Sequence, residues 1–130
     1  MGFERPDGDF FSNQRVEKPW GYELLWAYTD VYVGKLLHVN QGESLSLQYH
    51  EKKDETIAVL SGEIEMETGP HESEMTKRVM KQGDSVHVRP GTRHRMTALS
   101  DCDLLEVSTP ELDDVVRLSD KYGREGTSAP

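Results

Sequence analysis

Apolar residues in this chain fall in short runs, alternating with polar ones or clustering as β-branched side chains, and the runs are separated by turn residues. Strands are predicted over Tyr22 to Tyr28, Val31 to Val39, Ser44 to Tyr49, Thr56 to Leu60, Glu63 to Glu67, Thr76 to Met80, Ser85 to Val88, Arg95 to Leu99 and Leu104 to Thr109. Asn40-Gln41-Gly42, Ser61-Gly62, Thr68-Gly69-Pro70, Gln82-Gly83 and Pro90-Gly91 fall between them, and residues 69 to 74 read as a hairpin tip. Nine short strands with this punctuation predict an all-β domain, closed or sandwiched. The flanks differ. Residues 1–17 lack periodicity and read as an arm, whose Phe3, Phe10 and Phe11 are available to dock on a neighbour. The domain is expected over 18–124, ending in a short helical segment from Asp114 to Tyr122 that Gly123 stops, and 125–130 should fray. Trp20 and Trp26 are expected as core or dimer anchors.

Composition narrows the functional classes. A length of 130 residues suits one domain and therefore one site. A net charge of −9 argues against a nucleic-acid surface, which needs clustered Lys and Arg to neutralise phosphates. The single cysteine, Cys102, excludes an intrachain disulfide framework and a thiolate metal cluster, and reads as a buried, inert thiol in a reducing compartment. The N-terminal residues lack a basic-then-apolar pattern, and no run approaches the ~18 apolar residues of a membrane span. A cytoplasmic protein is expected.

Candidate chemistry concentrates between Gly42 and Gly62. Gln48 and His50 lie two apart, so on a strand both leave the same face, and Glu55 can return to it after a short bend. Gly83, Pro90-Gly91 and His94 then supply a strand, a turn and a further imidazole. A lone strand histidine is seldom a ligand; this ordered set is far more specific. By contrast, His38 and His87 are expected to pack or face solvent, and His71 to lie exposed in the hairpin tip.

These residues resemble the two motifs of the cupin superfamily, G-x5-H-x-H-x3,4-E-x6-G and G-x5-P-x-G-x2-H-x3-N. Gln48 replaces the first histidine, Pro90 sits one position late, and Ala98 occupies the place of the final Asn. A Gln-x-His pair is similar to phosphomannose isomerases. Over residues 18–124 the chain resembles the cupin domain of type II mannose-6-phosphate isomerases, commonly found at the C-terminus of a bifunctional mannose-1-phosphate guanylyltransferase. The resemblance rests on Lys18-Pro-Trp-Gly-Tyr22, Leu45-Ser-Leu-Gln-Tyr-His50, Gly91-Thr-Arg-His-Arg95 and the closing segment from Asp113 to Arg124. No Gly-rich nucleotide loop is present, so guanylyl transfer is not implied. The chain also departs from the family: Lys53 stands where Arg is common, and Glu55-Thr56-Ile57 where Glu-His-Trp is common. Lys lacks the planar fork that grips a phosphate, so a different substrate becomes conceivable.

The resemblance implies a cupin double-stranded β-helix, a homodimer, and one divalent metal on Gln48, His50, Glu55 and His94. Two imidazoles, a carboxylate and an amide oxygen suit Zn first, with Mn, Fe, Co or Ni also compatible. The implied reaction is isomerisation of mannose 6-phosphate to fructose 6-phosphate through an enediol. Glu106 is the first candidate for the base and Lys35 the second, since each can project from a strand into the barrel. Lys53, Arg93, Arg95, Arg117 and Arg124 are candidates for binding a phosphorylated sugar. Two alternatives stay open: another metal-dependent cupin chemistry (oxygenase, epimerase or lyase), and a non-catalytic sugar-binding cupin.

Overall fold

The computed structural model describes residues 2–126, so residues 127–130 of the expected tail lie outside the described residues. Eleven strands run β1 Gln14–Lys18, β2 Gly21–Tyr28, β3 Val33–Val39, β4 Leu47–Tyr49, β5 Glu55–Ser61, β6 Glu63–Gly69, β7 Thr76–Lys81, β8 Ser85–Val88, β9 Arg93–Ala98, β10 Cys102–Ser108 and β11 Val116–Ser119. They form a six-stranded sheet, β1-β2-β3-β10-β5-β8, facing a five-stranded sheet, β11-β4-β9-β6-β7, with every pairing antiparallel. This is a cupin-type jelly roll. No helix occurs among the described residues, and so none is long and apolar enough to cross a membrane.

All nine expected strands are present, with ends shifted by a few residues. Two segments differ. Part of the expected arm is β1, which pairs with β2 from Gln14↔Leu25 to Lys18↔Gly21. Its only apolar residue is Val16, so it carries little hydrophobic signal, as befits a charged edge strand. The expected helix is instead β11, with Val116 opposite Tyr49 and Arg117 opposite Gln48. Adjacent Val115 and Val116 disfavour a helix, and the open edge of β4 offers backbone partners that a helix could not use. Gly123, at φ +77°, closes a turn.

Alternation along the strands builds the core. Trp20, Leu37, Val39, Ile57, Val59, Ile64, Met66, Met96, Cys102 and Leu104 are buried between the sheets. Trp20 is therefore a core residue, and Cys102 the buried thiol expected of it; burial pushes that thiol up to about 11. Gly21 after the tryptophan is required sterically, because a Cβ there would lie 1.8 Å from the His38 carbonyl oxygen. Trp26 faces outward at a bulge in β2, and its ring lies across Gly34. Around it, Leu24, Leu36, Leu105 and Ala58 sit side by side across four strands on the outer face of the larger sheet.

Candidate metal centre

His50, Glu55 and His94 converge, with one ligand atom from each lying within 4.8 Å of the others. His50 follows β4, Glu55 opens β5 and His94 lies on β9. The Gly91 amide donates to the His50 carbonyl at 2.7 Å, which ties the turn delivering His94 to the strand delivering His50. Gly91 adopts φ +85°, a conformation that favours glycine. Gln48 lies directly opposite His94 in the β4–β9 pair, and its amide oxygen accepts from the Ser46 hydroxyl at 3.2 Å.

Hydrogen bonding fixes the tautomers. His50 Nδ1 donates to the Asp114 carbonyl at 2.5 Å, and His94 Nδ1 donates to the Thr92 carbonyl at 3.0 Å. Carbonyls only accept, so Nδ1 carries a proton in each ring and Nε2 is the nitrogen turned toward the centre, free to act as a ligand atom. His50 Nε2 then faces Glu55 Oε2 at 2.8 Å, and these two atoms and His94 Nε2 are buried without a hydrogen-bond partner. Two imidazole nitrogens and a carboxylate oxygen, buried together and turned toward one another, are a donor set that fits a divalent metal. Electrostatics agree. Burial drives His94 below its ordinary range, toward the neutral ligand form, despite the neighbouring carboxylate. For Glu55, burial works against ionisation, but the Lys53 ammonium outweighs it and holds the carboxyl far below the usual range.

Beside this cluster is a cavity of about 280 Å³, lined by Gln48, His50 and Glu55 among others. Volumes of roughly 300–1,000 Å³ are usual for small-ligand pockets, so the fit is to a small metabolite. Lys35, on β3, and Glu106, on β10, are direct cross-strand neighbours and both line it. Lys53 is 6% exposed, 3.2 Å from Glu106 and 3.5 Å from Glu55. Burial opposes its charge, yet the two carboxylates hold its ammonium above the ordinary lysine range. Lys35 donates to Glu23 at 3.0 Å, with Lys18 3.8 Å from the same carboxylate. Burial opposes the Glu23 charge as well, and Lys35 and Lys18 hold its carboxyl low.

Lys53, Arg117 and Arg124 line the cavity, whereas Arg93 and Arg95 do not. Strand alternation explains the correction: His94 and Met96 turn inward on β9, so Arg93 and Arg95 turn outward. Arg93 packs over the Tyr49 ring, and Arg95 makes a bidentate contact with Glu67, its neighbour on β6. The sequence reading missed Lys18 and Glu23. Lys18 lay inside the Lys-Pro-Trp-Gly segment, and Glu23 shares an inward parity with Leu25 that would have marked it. Of the other histidines, His38 pairs with Asp103 at 2.7 Å under a stacked Tyr22, and His87 pairs with Asp54 at 2.6 Å, both away from the cavity.

A family model described as the cupin domain matches residues 35–108, which carry His50, Glu55 and His94 and both base candidates. The chain belongs to the cupin family. Among curated proteins, this cupin is 32% identical over 118 residues to the mannose-1-phosphate guanylyltransferase of Escherichia coli (strain K12), covering 86% of this chain and 23% of that protein. It is 30% identical over 122 residues to the xanthan biosynthesis protein XanB of Xanthomonas campestris pv. campestris (strain B100), covering 86% and 24%. The chain thus spans about a quarter of the length of these relatives. Its fold is shared with KdgF from Halomonas sp. (TM-score 0.66, 24% identity, 78% of this chain and 89% of that one). The oxalate decarboxylase of Bacillus subtilis shares it too, with TM-score 0.67, 16% identity, and coverage of 82% and 30%.

Proposed function

We propose that this cupin is a metal-dependent aldose–ketose isomerase of a phosphorylated sugar, with mannose 6-phosphate to fructose 6-phosphate as its specific reaction. The observation that carries the reading is a cavity that joins the candidate metal ligands to a cluster of cationic side chains. Lys18, Lys35, Lys53, Arg117 and Arg124 line it against Glu23, Glu55, Glu106 and Asp113, in a chain of net charge −9. Like charges crowd there. Lys18 is lowered by burial and, in spite of Glu23, by Lys35, Arg124 and Arg117, while Arg117 is lowered by burial and by Arg124. An anionic ligand relieves that crowding. The similarity to mannose-1-phosphate guanylyltransferases supports a mannose phosphate in particular.

Gln48, His50, Glu55 and His94 would hold one divalent metal, Zn first, with Mn, Fe, Co or Ni compatible with the same donors. Such a metal would supply Lewis acidity at the carbonyl of the open-chain sugar. The remaining work falls to the protein. Glu106 takes the proton from C2 and returns it to C1 while the hydroxyl proton passes from O2 to O1 of the sugar, and Lys53 fixes the Glu106 carboxylate beside Glu55. Lys35, held by Glu23, is the second candidate for this role. Arg117, Arg124 and Lys18 receive the phosphate. The same reading places the protein in the cytoplasm. It also makes it a homodimer, which the exposed apolar row around Trp26, Leu105 and Val107 supports as a covered face.

A second reading, a cupin that binds or transforms another small metabolite, is favoured by Lys53. Its ammonium is engaged by Glu55 and Glu106, so it does not supply the phosphate grip of an arginine at that position. A coupled isomerase assay with mannose 6-phosphate decides between them, run on metal-analysed native protein, on His50→Ala and on a chelated sample. Turnover that disappears in both controls supports isomerisation. No turnover from fully metallated native protein refutes it and moves the weight to the second reading.

A further inference from the structure

Two ligands, His50 and Glu55, are separated by a loop that must hold them at a fixed spacing, and the loop is gripped from outside. Asp114 Oδ1 accepts the Glu51 amide at 3.0 Å, and Oδ2 accepts those of Lys52 and Lys53 at 2.7 and 2.8 Å. The carbonyl of the same residue takes the Nδ1 proton of His50. The other end of the loop is pinned as well, by reciprocal bonds of 3.0 Å between Asp54 and Thr109.

We propose that Asp114 is a positioning residue of the metal centre, orienting His50 through its carbonyl and setting the His50-to-Glu55 spacing through its carboxylate. Three consecutive amides on one carboxylate are charge-assisted bonds that leave the loop little freedom. Residues Asp113, Val115, Arg117 and Arg124 of the same closing segment line the cavity, so Asp114 joins the metal ligands to the wall proposed to receive the anion. Metal binding and order in the closing segment are therefore coupled, and the coupling is reciprocal. The inference rests on the reading that His50, Glu55 and His94 bind a metal, but not on the isomerase reaction.

The test uses Co(II) as probe, with affinity measured by chelator competition and geometry by its visible spectrum, on the full chain. Asp114→Asn is expected to weaken Co(II) about 10–100-fold, the usual cost of losing a partner outside the ligand shell, and to alter the spectrum. Asp114→Glu should recover part of the loss. Asp103→Asn, whose carboxylate pairs with His38 away from the cavity, should leave affinity and spectrum unchanged. In the native protein, hydrogen exchange at the amides of Glu51, Lys52 and Lys53 should slow when Co(II) binds, a readout independent of whether any variant folds. Native affinity and spectrum in folded Asp114→Asn, or unchanged exchange in the native chain, overturn the inference while leaving the metal site intact. Failure of the native chain to bind Co(II) overturns both.

Discussion

Lys53 is the most exacting point in the site, because one ammonium serves two buried carboxylates. Lys53→Met keeps the aliphatic stem and strands Glu106 at 3.2 Å and Glu55 at 3.5 Å. All three residues are at most 7% exposed. Removing one partner of a buried ion pair costs about 3–5 kcal/mol, and the chelated protein should show that full cost. With metal bound, Glu55 is compensated and only Glu106 is orphaned, so the cost should fall to about 1–3 kcal/mol. An unfolding entropy of roughly 2.1 cal/mol/K per residue, over 130 residues, makes 3–5 kcal/mol about 11–18 °C in Tm. Urea unfolding followed by tryptophan fluorescence measures this, since Trp20 is buried. Glu106→Gln on top of Lys53→Met removes the orphaned charge, so the double variant should be more stable than the sum of the single effects by at least ~1 kcal/mol. A cost under ~1 kcal/mol in chelated protein, or additive single effects, would refute the argument.

Chelation of metallated protein should lower stability by about 2.7 kcal/mol where free metal had stood at a hundredfold its Kd, roughly 10 °C by the same entropy; an unchanged melting curve contradicts the metal site. Arg117→Met should raise KM for mannose 6-phosphate at least about tenfold, the loss of one charge-assisted contact, while Arg95→Met on the outer face leaves it alone. Equal effects would return Arg95 to the site. Asp120 accepts from Arg124 Nε at 2.9 Å, and although burial opposes its charge, these bonds hold its carboxyl below the usual range. Its contribution is therefore complete above the unfolded aspartate value of ~3.9 and disappears as pH falls through the lower folded value. The stability gap between native protein and Asp120→Asn should accordingly close between pH 5 and pH 2, and a gap constant over that range contradicts the sign.

The strands were legible where alternation met β-branched residues and glycine punctuation, as in β3, β5 and β10. The edges were harder. β1 holds one apolar residue in five, and β11 is formed because β4 leaves an edge to be paired, which is a tertiary fact invisible to local pattern. Gly123 shows the same limit: a glycine with positive φ ends a helix or closes a turn equally well, and only the neighbouring strand decides.

For the site, spacing found the residues that share a face, and parity decided the rest. Gln48 and His50, two apart, reach one cavity; Arg93 and Arg95 flank His94 by one and so were bound to leave by the opposite face. The segment Gly91-Thr-Arg-His-Arg95, read as a unit, hides that rule, because nearness in sequence along a strand is opposition in space. Inward parity selects Lys18, Glu23, Lys35, Glu55, His94, Glu106 and Arg117, all titratable and all around one cavity or its adjoining cluster. A β-barrel of this size can hold so many charges inside only if they neutralise one another across strands, as Lys35 and Glu106 face each other in register and Lys53 spans Glu106 and Glu55. The alternating line of charge is then a requirement of the fold as much as of the chemistry. The atoms it leaves without a hydrogen bond, the Nε2 of His50 and His94 and one oxygen of Glu55, lie together as the donors of a metal site must.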